Sequence, residues 1–340
     1  MQTSDFDYYL PPELIAQEPL EPRDAARLLV LDRKTGSRQH KIFRELPDLL
    51  NPGDLLVVNR SRVVPARLFA KKQPRGGKVE LLLLERTGGD KWKALVGGKG
   101  LGVGAQLLLE GGASGKIVDD LGGAQRLIAF DRPLVSIIKK HGHVPLPPYI
   151  HTPLVDPERY QTVYARESGS SAAPTAGLHF TPSLLARIKE RGVRIAEVTL
   201  HIGLDTFAPV NEEDPADHKI HSEWCQISPA AAEVVNRTKR AGGRVVAVGT
   251  TSVRVLETAA QLAVGGKSLL PFEGRAGLFI LPGFEFKVVD GLLTNFHLPR
   301  STLLMLVSAF AGRESILETY HEAIKNNFRF YSFGDAMLIV

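Results

Sequence analysis

The chain has little cysteine and no long run of apolar residues. Cys225 is the single cysteine among 340 residues, which excludes an internal disulfide framework and a cysteine-rich zinc module and fits a reducing cytoplasm. No apolar stretch is long enough to span a bilayer, and residues 1–9 lack the basic and apolar regions of a secretion signal. The sequence therefore predicts a cytoplasmic protein that is neither secreted nor inserted in a membrane.

Apolar side chains are abundant. Hydrophobic residues make up 44% of the chain, and 340 residues are enough for two domains or for one domain that carries an insertion. The formal net charge is +5 and the sequence pI is about 9.2, so charge permits a polyanionic partner without requiring one. The distribution of charge along the chain has to decide between these cases.

Most of the chain alternates between strand patterns and helix patterns. Leu55–Val58 is apolar throughout, which is typical of a strand buried on both faces of a sheet. Strands and helices alternate beyond residue 172, and this pattern predicts an α/β fold, a mostly parallel sheet with flanking helices. The predicted strands there are 194–200, 244–249 and 278–281, and the predicted helices are 182–191, 301–311, 314–325 and two that start near 229 and 251.

Residues 61–148 have a different character. Between Gly76 and Gly123 lie 14 of the 32 glycines, and they separate short apolar segments at regular spacing. Tight glycine turns of this kind are typical of a small antiparallel barrel or sandwich. We therefore predict an inserted all-β domain at 61–148, with 1–60 and 149–340 forming one α/β catalytic domain. The predicted strands of the insertion are 63–70, 79–84, 92–96, 105–109 and 125–130.

Residues 172–180 form a compact loop that contains a histidine near its end. Two alanines, a proline and a glycine precede His179, and Thr181 and Pro182 then supply an N-cap and a first helical residue. A histidine at a helix N-terminus lies where free N–H groups and the helix dipole favour anion binding or proton chemistry. The alternative is a rigid loop with a hydrogen-bonded structural histidine, and the sequence leaves both open.

Two polar loops follow predicted strands of the α/β domain. Gly249–Arg254 brings three hydroxyls, free N–H groups and a guanidinium to the end of a buried strand, which suits a carboxylate or a phosphate. Thr294–Thr302 is a polar loop between apolar segments, with Ser301 or Thr302 as a helix cap. Because ligands of α/β sheets bind at strand ends, we expect both loops at the ligand site.

The segment 218–225 contains four potential metal ligands, His218, His221, Glu223 and Cys225. His221, Glu223 and Cys225 would share one face of an extended chain, but the helical spacing of a zincin and a second ligand cluster are absent. We therefore expect no metal. A proton-transfer or substrate-orienting pair of His221 and Glu223 is simpler, because a carboxylate fixes the tautomer of a neighbouring imidazole. A surface pair without a function is the alternative.

Two glycine motifs fail as nucleotide sites. Gly266-Lys267-Ser268 ends like a P-loop, but Gln261 stands where the first glycine of that motif belongs. Residues 100–105 match the dinucleotide fingerprint by letter, yet no helix pattern follows them. We interpret residues 100–105 as a hairpin turn.

The motifs together resemble one family, the QueA family of S-adenosylmethionine:tRNA ribosyltransferase-isomerases. The resemblance covers essentially the whole chain and implies an α/β domain interrupted by a β-barrel, as the sequence pattern also suggests. Asp205 stands where the family usually has glycine, Arg60 where it has a small polar or acidic residue, and Ala26 where it has serine. The similar segments are 5–8, 59–68, 172–180, 218–223, 247–254, 290–310 and 330–338.

The resemblance also implies a reaction. The ribosyl unit of S-adenosylmethionine is transferred to 7-aminomethyl-7-deazaguanine (preQ1) at wobble position 34 of tRNA and isomerised. Epoxyqueuosine-tRNA forms, and adenine and methionine leave. S-adenosylmethionine is a co-substrate, and no prosthetic group is implied. Its sulfonium acidifies the adjacent C5′ proton, so a histidine or carboxylate tuned near neutral pH can remove that proton without a covalent enzyme nucleophile.

Several residues are candidates for this chemistry. We expect His179 and His297 nearest the cofactor, because both lie in loops that lead to helix N-termini. The candidate acids and bases are His179, His201, His221, His297 and Glu223. The expected S-adenosylmethionine contacts are Thr250, Thr251, Ser252, Arg254, Asn295, Ser301, Thr302 and Asp335.

Two other functions stay open at this point. The first is a tRNA-binding protein that has lost catalysis, with Asp205 as the first suspect. The second is a generic adenosylmethionine-dependent methyltransferase, although the chain lacks the early glycine-rich strand–helix turn of such enzymes.

Residues 60–78 contain seven basic residues and no acidic one. A run of one sign is usually a solvated loop, but a tRNA substrate requires a surface that binds a polyanion. We therefore predict that the run contacts phosphates of the anticodon arm while the α/β domain of a monomeric enzyme holds the cofactor. The seven residues are Arg60, Arg62, Arg67, Lys71, Lys72, Arg75 and Lys78.

Overall fold

A computed structural model describes residues 1–203, 210–263 and 269–340. They form two compact units: the α/β unit, residues 1–62 with 148–340, and the barrel unit, residues 63–147. The strands are β1 (Arg27–Leu31), β2 (Arg38–Ile42), β3 (Leu55–Asn59), β4 (Ser61–Val63), β5 (Arg67–Gln73), β6 (Lys78–Gly88), β7 (Lys91–Gly97), β8 (Gln106–Leu109), β9 (Ser114–Gly122), β10 (Gln125–Phe130), β11 (Glu167–Ser170), β12 (Arg194–Leu200), β13 (Glu223–Ile227), β14 (Val245–Val248), β15 (Phe272–Ala276), β16 (Gly291–Asn295) and β17 (Ala336–Ile339). The α-helices are α1 (Leu46–Leu49), α2 (Val135–His141), α3 (Pro182–Glu190), α4 (Pro229–Arg240), α5 (Thr250–Leu262), α6 (Thr302–Ala311) and α7 (Arg313–Lys325).

The α/β unit is built on a nine-stranded sheet in the order β15-β13-β12-β3-β14-β16-β17-β1-β2. The central strands β12, β3, β14 and β16 are mutually parallel, and β17 is parallel to β1. Antiparallel pairs join β16 to β17 and add the edge strands β13, β15 and β2. The parallel block lies at the centre because its strands are apolar enough to be buried on both faces.

Alternate residues of β3 enter two separate apolar cores. Leu55 and Val57 pack in the core that takes the buried faces of α4, α5, α6 and α7. Leu56 and Val58 pack in the core that contains Phe43 and the buried residues of α1 and α3. The period of two in a strand therefore divides one apolar run between the two faces of the sheet.

Helix starts follow from hydroxyl caps that the sequence places correctly. The Thr181 hydroxyl accepts a hydrogen bond from the Leu184 N–H at 3.1 Å, and Pro182 occupies the first position of α3. Ser228 and Ser301 cap α4 and α6 in the same way. Each cap satisfies an N–H group that the helix cannot pair internally.

The barrel unit is a closed barrel of six antiparallel strands in the order β10-β7-β6-β5-β8-β9. With the nine-stranded sheet it confirms the predicted fold class. Strand β9 was absent from the prediction because glycine and aspartate interrupt its apolar pattern, and its pairing with β10 shifts register. The predicted strand 63–70 begins at Arg67 instead, and Val63 belongs to β4.

One predicted strand is wrong. Residues 278–281 form no strand, and the edge position is taken by β15, which pairs antiparallel with β13. The apolar side chains of 278–281 pack against the core and a pocket instead of joining a ladder. Asp205 and Gly266–Ser268 lie outside the described residues. Across the described ranges, no helix is both long and apolar enough to cross a membrane.

Candidate functional site

Three adjoining pockets lie at the carboxyl ends of β12, β14 and β16, and Leu303 lines all three. Their volumes, counted with the adjoining space that is open to solvent, are about 540, 400 and 350 Å³. We name them the histidine pocket (His218, His221, Glu223, Arg254), the threonine pocket (Thr175, Thr250, Thr251, Thr294) and the tyrosine pocket (Tyr149, Ser301, Tyr331, Ser332). Together they form a groove where α/β sheets usually bind ligands.

The threonine pocket contains the first turn of α5. Gly249 precedes the helix with φ +84°, a conformation that favours glycine. Thr250 and Thr251 line the pocket, and the Thr251 hydroxyl lies 3.3 Å from the Asn59 side-chain nitrogen. Ser252 is fully buried, and its hydroxyl donates to the Val248 carbonyl at 2.7 Å. Two of the three predicted hydroxyls therefore reach the pocket, and the third supports the helix.

A buried ion pair borders the histidine pocket. The Arg254 guanidinium donates to Glu223 Oε2 and to the carbonyls of Leu278 and Ala276 at 3.2 and 3.1 Å. Glu223 Oε1 accepts a hydrogen bond from the Gly203 N–H at 2.7 Å. The guanidinium expected to receive a substrate carboxylate is thus already paired with a protein carboxylate, and the pair ties α5 to β13 and β15.

His218 also lines this pocket and is paired with a carboxylate outside the lining, that of Glu212, and it was missed as a catalytic candidate in the sequence. His218 Nδ1 lies 2.9 Å from Glu212 Oε2, and the imidazole meets Phe279 edge-on. Hydrogen bonds from the Glu212 backbone N–H and from the His218 side chain hold the pKa of the Glu212 carboxyl below its usual range. The turn at Pro215–Asp217 brings the two side chains together, and the sequence offers no other indication of this pairing.

His179 is buried and lines none of these three pockets, but it lines a fourth pocket together with Arg23 and Ser332. Its Nε2 is 3.3 Å from the Asn295 side-chain nitrogen, and its other ring nitrogen bonds the Arg23 carbonyl. Burial lowers the pKa of His179 to about 4. The imidazole is therefore neutral at pH 7, and both ring nitrogens are engaged by protein groups.

His297 is also buried, but it lines both the threonine pocket and the tyrosine pocket. Its Nε2 lies 3.1 Å from the Thr294 hydroxyl, and its Nδ1 lies 3.3 Å from the Tyr320 hydroxyl. Burial lowers the pKa of His297 to about 3. The two histidines expected nearest the cofactor are thus the two that are most enclosed by protein.

The other predicted histidines differ from these two. His201 stacks on Trp224 with 5.0 Å between ring centroids, and burial lowers the pKa of His201. Gly169, at φ +147°, lies so close to the His201 imidazole that an added Cβ would be 2.6 Å from Nε2. His221 is exposed and lines the histidine pocket. The described part of the chain holds no group of three His, Cys, Asp or Glu that could bind a metal.

Asn295 lies between the threonine and tyrosine pockets, where its amide is held in one orientation. The side-chain nitrogen faces two acceptors, His179 Nε2 and, at 3.4 Å, the Asp335 carbonyl. The side-chain oxygen accepts a hydrogen bond from the Thr175 hydroxyl at 2.9 Å. An amide oxygen has two lone pairs, so one remains for a ligand.

The tyrosine pocket was not anticipated. Tyr149 and Tyr331 lie with ring centroids 4.7 Å apart, and Tyr331 has φ +68°, an uncommon conformation for a non-glycine residue. Ser301 lines this pocket and Thr302 lines the histidine pocket. Asp335 lines none of the three pockets, because its carboxylate accepts hydrogen bonds from the N–H groups of Arg27 and Arg329 at 2.9 and 2.8 Å.

Three of the predicted tRNA contacts are engaged in ion pairs. Arg60 lies 3.7 Å from Glu167, and Arg62 pairs with Glu158. Arg67 lies 2.9 Å from Glu80. The remaining members of the run, Lys71, Lys72, Arg75 and Lys78, make no ion pair with any described residue.

The whole chain is similar to proteins that modify tRNA. A family model described as queuosine biosynthesis protein matches residues 3–339. The S-adenosylmethionine:tRNA ribosyltransferase-isomerases of Symbiobacterium thermophilum and Carboxydothermus hydrogenoformans are 53% and 54% identical, with 100% of both chains covered. The crystal structure of the S-adenosylmethionine tRNA ribosyltransferase from Thermotoga maritima is 42% identical, with a TM-score of 0.57, and the match covers 99% of this chain and 100% of that one.

Proposed function

Because the chain belongs to the queuosine biosynthesis protein family, we propose that it is an S-adenosylmethionine:tRNA ribosyltransferase-isomerase. It transfers and isomerises the ribosyl unit of S-adenosylmethionine onto preQ1 at position 34 of tRNA, with release of adenine and methionine. The observation that carries this proposal is 53% identity over full length to an enzyme of that name. The α/β unit is the catalytic domain in this proposal.

The test is adenine release. The protein is incubated with S-adenosylmethionine and tRNA that carries preQ1, and adenine and methionine are expected to appear in step with tRNA modification. The same tRNA with guanine at position 34 is the matched control. Adenine release no faster with preQ1-tRNA than with this control would overturn the proposal. Binding without turnover would favour a catalytically inactive tRNA-binding protein, and transfer of labelled methyl to tRNA would favour a methyltransferase.

The chemistry of the residues that line the groove supports it as the binding site for S-adenosylmethionine. The positive end of α5, with Thr250 and Thr251, suits the substrate carboxylate. The ring pair of Tyr149 and Tyr331 offers aromatic surface on which adenine can stack. The free lone pair of Asn295 Oδ1 accepts a donor of the sugar or base.

The proton acceptor in this proposal is His218. Its Nδ1 bonds the Glu212 carboxylate, which fixes the tautomer and leaves Nε2 as the basic nitrogen. The carboxylate also stabilises the imidazolium that forms when the C5′ proton of the substrate is removed. His221 in the same pocket is a second imidazole available for proton transfer.

His179 and Glu223 act as positioning residues in this proposal. His179 accepts from the Asn295 amide and so directs the Asn295 oxygen toward the substrate. Glu223 neutralises Arg254, which lets the guanidinium brace two carbonyls at the pocket wall. His297 braces the loop of residues 294–302 through its contacts with Thr294 and Tyr320.

A further inference from the structure

The barrel unit carries the positive charge of the protein. It contains 14 Lys and Arg against 7 Asp and Glu, a net charge of +7, although the whole chain has only +5. The α/β unit has 28 Lys and Arg against 30 Asp and Glu, a net charge of −2. A polyanion is therefore attracted to the barrel unit.

Within the barrel, a glycine-rich loop packs onto the β5–β6 hairpin. Gly98, at φ +143°, lies so close that an added Cβ would be 3.2 Å from the Lys78 carbonyl oxygen and 2.9 Å from Leu101 Cδ1. The Lys72 ammonium donates to the Gly100 carbonyl. Leu101 is buried and anchors the loop in the barrel. The loop 98–105 is not the hairpin turn predicted for 100–105, because β7 and β8 are not neighbours in the barrel, and it forms one surface with the β5–β6 hairpin.

This packing adds cations that are distant in sequence. Lys99 is exposed on the loop, and Lys116 is exposed on β9 opposite Gln106, which pairs in turn with Gln73 at the end of β5. The acidic residues near this end are Glu80, Asp119 and Asp120, of which Glu80 is paired with Arg67 at 2.9 Å and Asp120 with Arg126 at 2.7 Å. The basic end comprises Lys71, Lys72, Arg75, Lys78, Lys99 and Lys116, none of which forms an ion pair within the described chain.

We propose that this basic end of the barrel, completed by Lys99 and Lys116, binds phosphates of the tRNA backbone. Arg60, Arg62 and Arg67 are not part of this surface, because protein carboxylates already neutralise them. The inference rests on the proposed function for its ligand, since charge alone selects a polyanion and the reaction selects tRNA. The glycine loop brings the lysines together and leaves the backbone open to close approach.

The first test is the salt dependence of tRNA binding. An unmodified transcript of the substrate tRNA is used, because phosphate contacts do not depend on the wobble base. The double variant Lys99→Ala/Lys116→Ala is expected to bind more weakly and to lower the slope of log affinity against log salt by about 1.4 to 1.8, at 0.7 to 0.9 per lost contact. The matched control is Lys139→Ala/Lys140→Ala on α2, which removes the same charge elsewhere on the barrel unit and is expected to leave the slope unchanged. Equal slopes in wild type and Lys99→Ala/Lys116→Ala would overturn the proposal.

The second test moves the loop without removing a charge. Gly98→Ala forces a side chain against Lys78 and Leu101 and is expected to weaken tRNA binding at least threefold. Gly102→Ala is the control, since nothing lies within 4 Å of an added Cβ there. Circular dichroism checks that both variants fold, and identical affinities in two folded variants would contradict the role of the loop.

Different measurements test the proposed function and the proposed tRNA-binding surface. Absence of adenine release by the wild-type protein overturns the proposed function, whereas the slope is measured on binding without turnover. If wild type releases adenine but the lysine variant keeps the wild-type slope, only the surface assignment is wrong. At saturating tRNA the lysine variant is expected to keep the wild-type kcat for adenine release and to raise the KM for tRNA.

Discussion

The groove of the α/β unit and the basic end of the barrel unit keep their charged groups in opposite ways. In the α/β unit, charges near the groove are buried and paired, as in the Glu223–Arg254 pair, where both side chains are at most 8% exposed. In the barrel unit, Lys71, Lys78 and Lys99 are exposed and unpaired within the described chain. A buried charge needs its partner, whereas an exposed lysine remains available for a ligand phosphate. Changes in the α/β unit are therefore expected to affect stability and chemistry, and changes in the barrel are expected to affect binding.

The two tryptophans allow the units to be followed separately. Trp92 lies in β7 of the barrel unit and Trp224 lies in β13 of the α/β unit. The variants Trp92→Phe and Trp224→Phe each leave one fluorescent reporter. With these reporters the unfolding of each unit can be measured separately, which tests the difference between the units.

The largest loss of stability is expected when the pH is lowered. The neutral rings of His179 and His297 have pKa values of about 4 and about 3 in the folded protein, against about 6.5 in an unfolded chain. The unfolded chain therefore binds more protons below pH 6.5, and the stability present above that pH is lost as pH falls toward 4. Between pH 7 and pH 4.5 each histidine should cost about 2.5 kcal/mol, measured by urea unfolding of the α/β unit in the Trp92→Phe background.

The variant His297→Gln isolates one of these contributions. Carboxylates such as Asp54 also lose stability in acid, since hydrogen bonds from Arg244 outweigh burial and hold the pKa of Asp54 below its usual value. Their contribution is common to wild type and variant. The loss between pH 7 and pH 4.5 should be about 2.5 kcal/mol smaller in the variant, and equal losses would show that His297 binds its proton in the folded protein.

The next largest loss of stability is expected when one partner of the buried ion pair is removed. Glu223→Gln leaves the Arg254 guanidinium buried without a counter-charge and should lower the free energy of unfolding of the α/β unit by about 3 to 5 kcal/mol. Glu233→Gln on α4 is the control, because Glu233 pairs with Arg240 on the surface and its loss should cost less than about 1 kcal/mol. The Trp92 signal of the barrel should not change in either variant. Similar losses in both variants would remove the distinction between buried and exposed pairs.

The change His218→Gln should affect chemistry alone. Loss of a general base lowers turnover by about a hundredfold or more, equivalent to about 2.7 kcal/mol in the barrier. Adenine release measures kcat, and the salt slope of tRNA binding should equal that of wild type. His321→Gln, at an exposed histidine of α7, is the control. A kcat within about threefold of wild type would exclude His218 as the base and return attention to His221.

The smallest effect is expected at Arg62. Its guanidinium pairs with Glu158, so Arg62→Ala should change the salt slope of tRNA binding by less than the 0.7 to 0.9 of one phosphate contact. Filter binding over a range of salt concentrations measures the slope. A loss of a full contact would place Arg62 on the tRNA surface, as the charge run by itself had predicted.

Local patterns in the sequence were sufficient for the fold class. The apolar run Leu55–Val58 predicted a strand buried on both faces, and Thr181, Ser228 and Ser301 predicted helix starts, because capping acts over three residues. Glycine spacing predicted the inserted β structure for the same reason, since each turn is a local event. Prediction failed where strand pairing joins segments that are distant in sequence. Strand β15 lies at the edge of the sheet because it pairs with β13, and the strand predicted at 278–281 is absent.

The candidate site was only partly accessible from sequence. The loops 249–254 and 294–302 were expected at the ligand site, and the structure brings them together because strands β14 and β16 are neighbours. Tertiary packing decided the state of each histidine: burial made His179 and His297 neutral, and the turn at 215–217 gave His218 its carboxylate. Barrel closure likewise brought Lys99 and Lys116 to Lys71 from more than 25 residues away. Residue types and local turns can be read directly from the sequence. Desolvation of side chains and long-range charge pairing arise only once distant segments pack together.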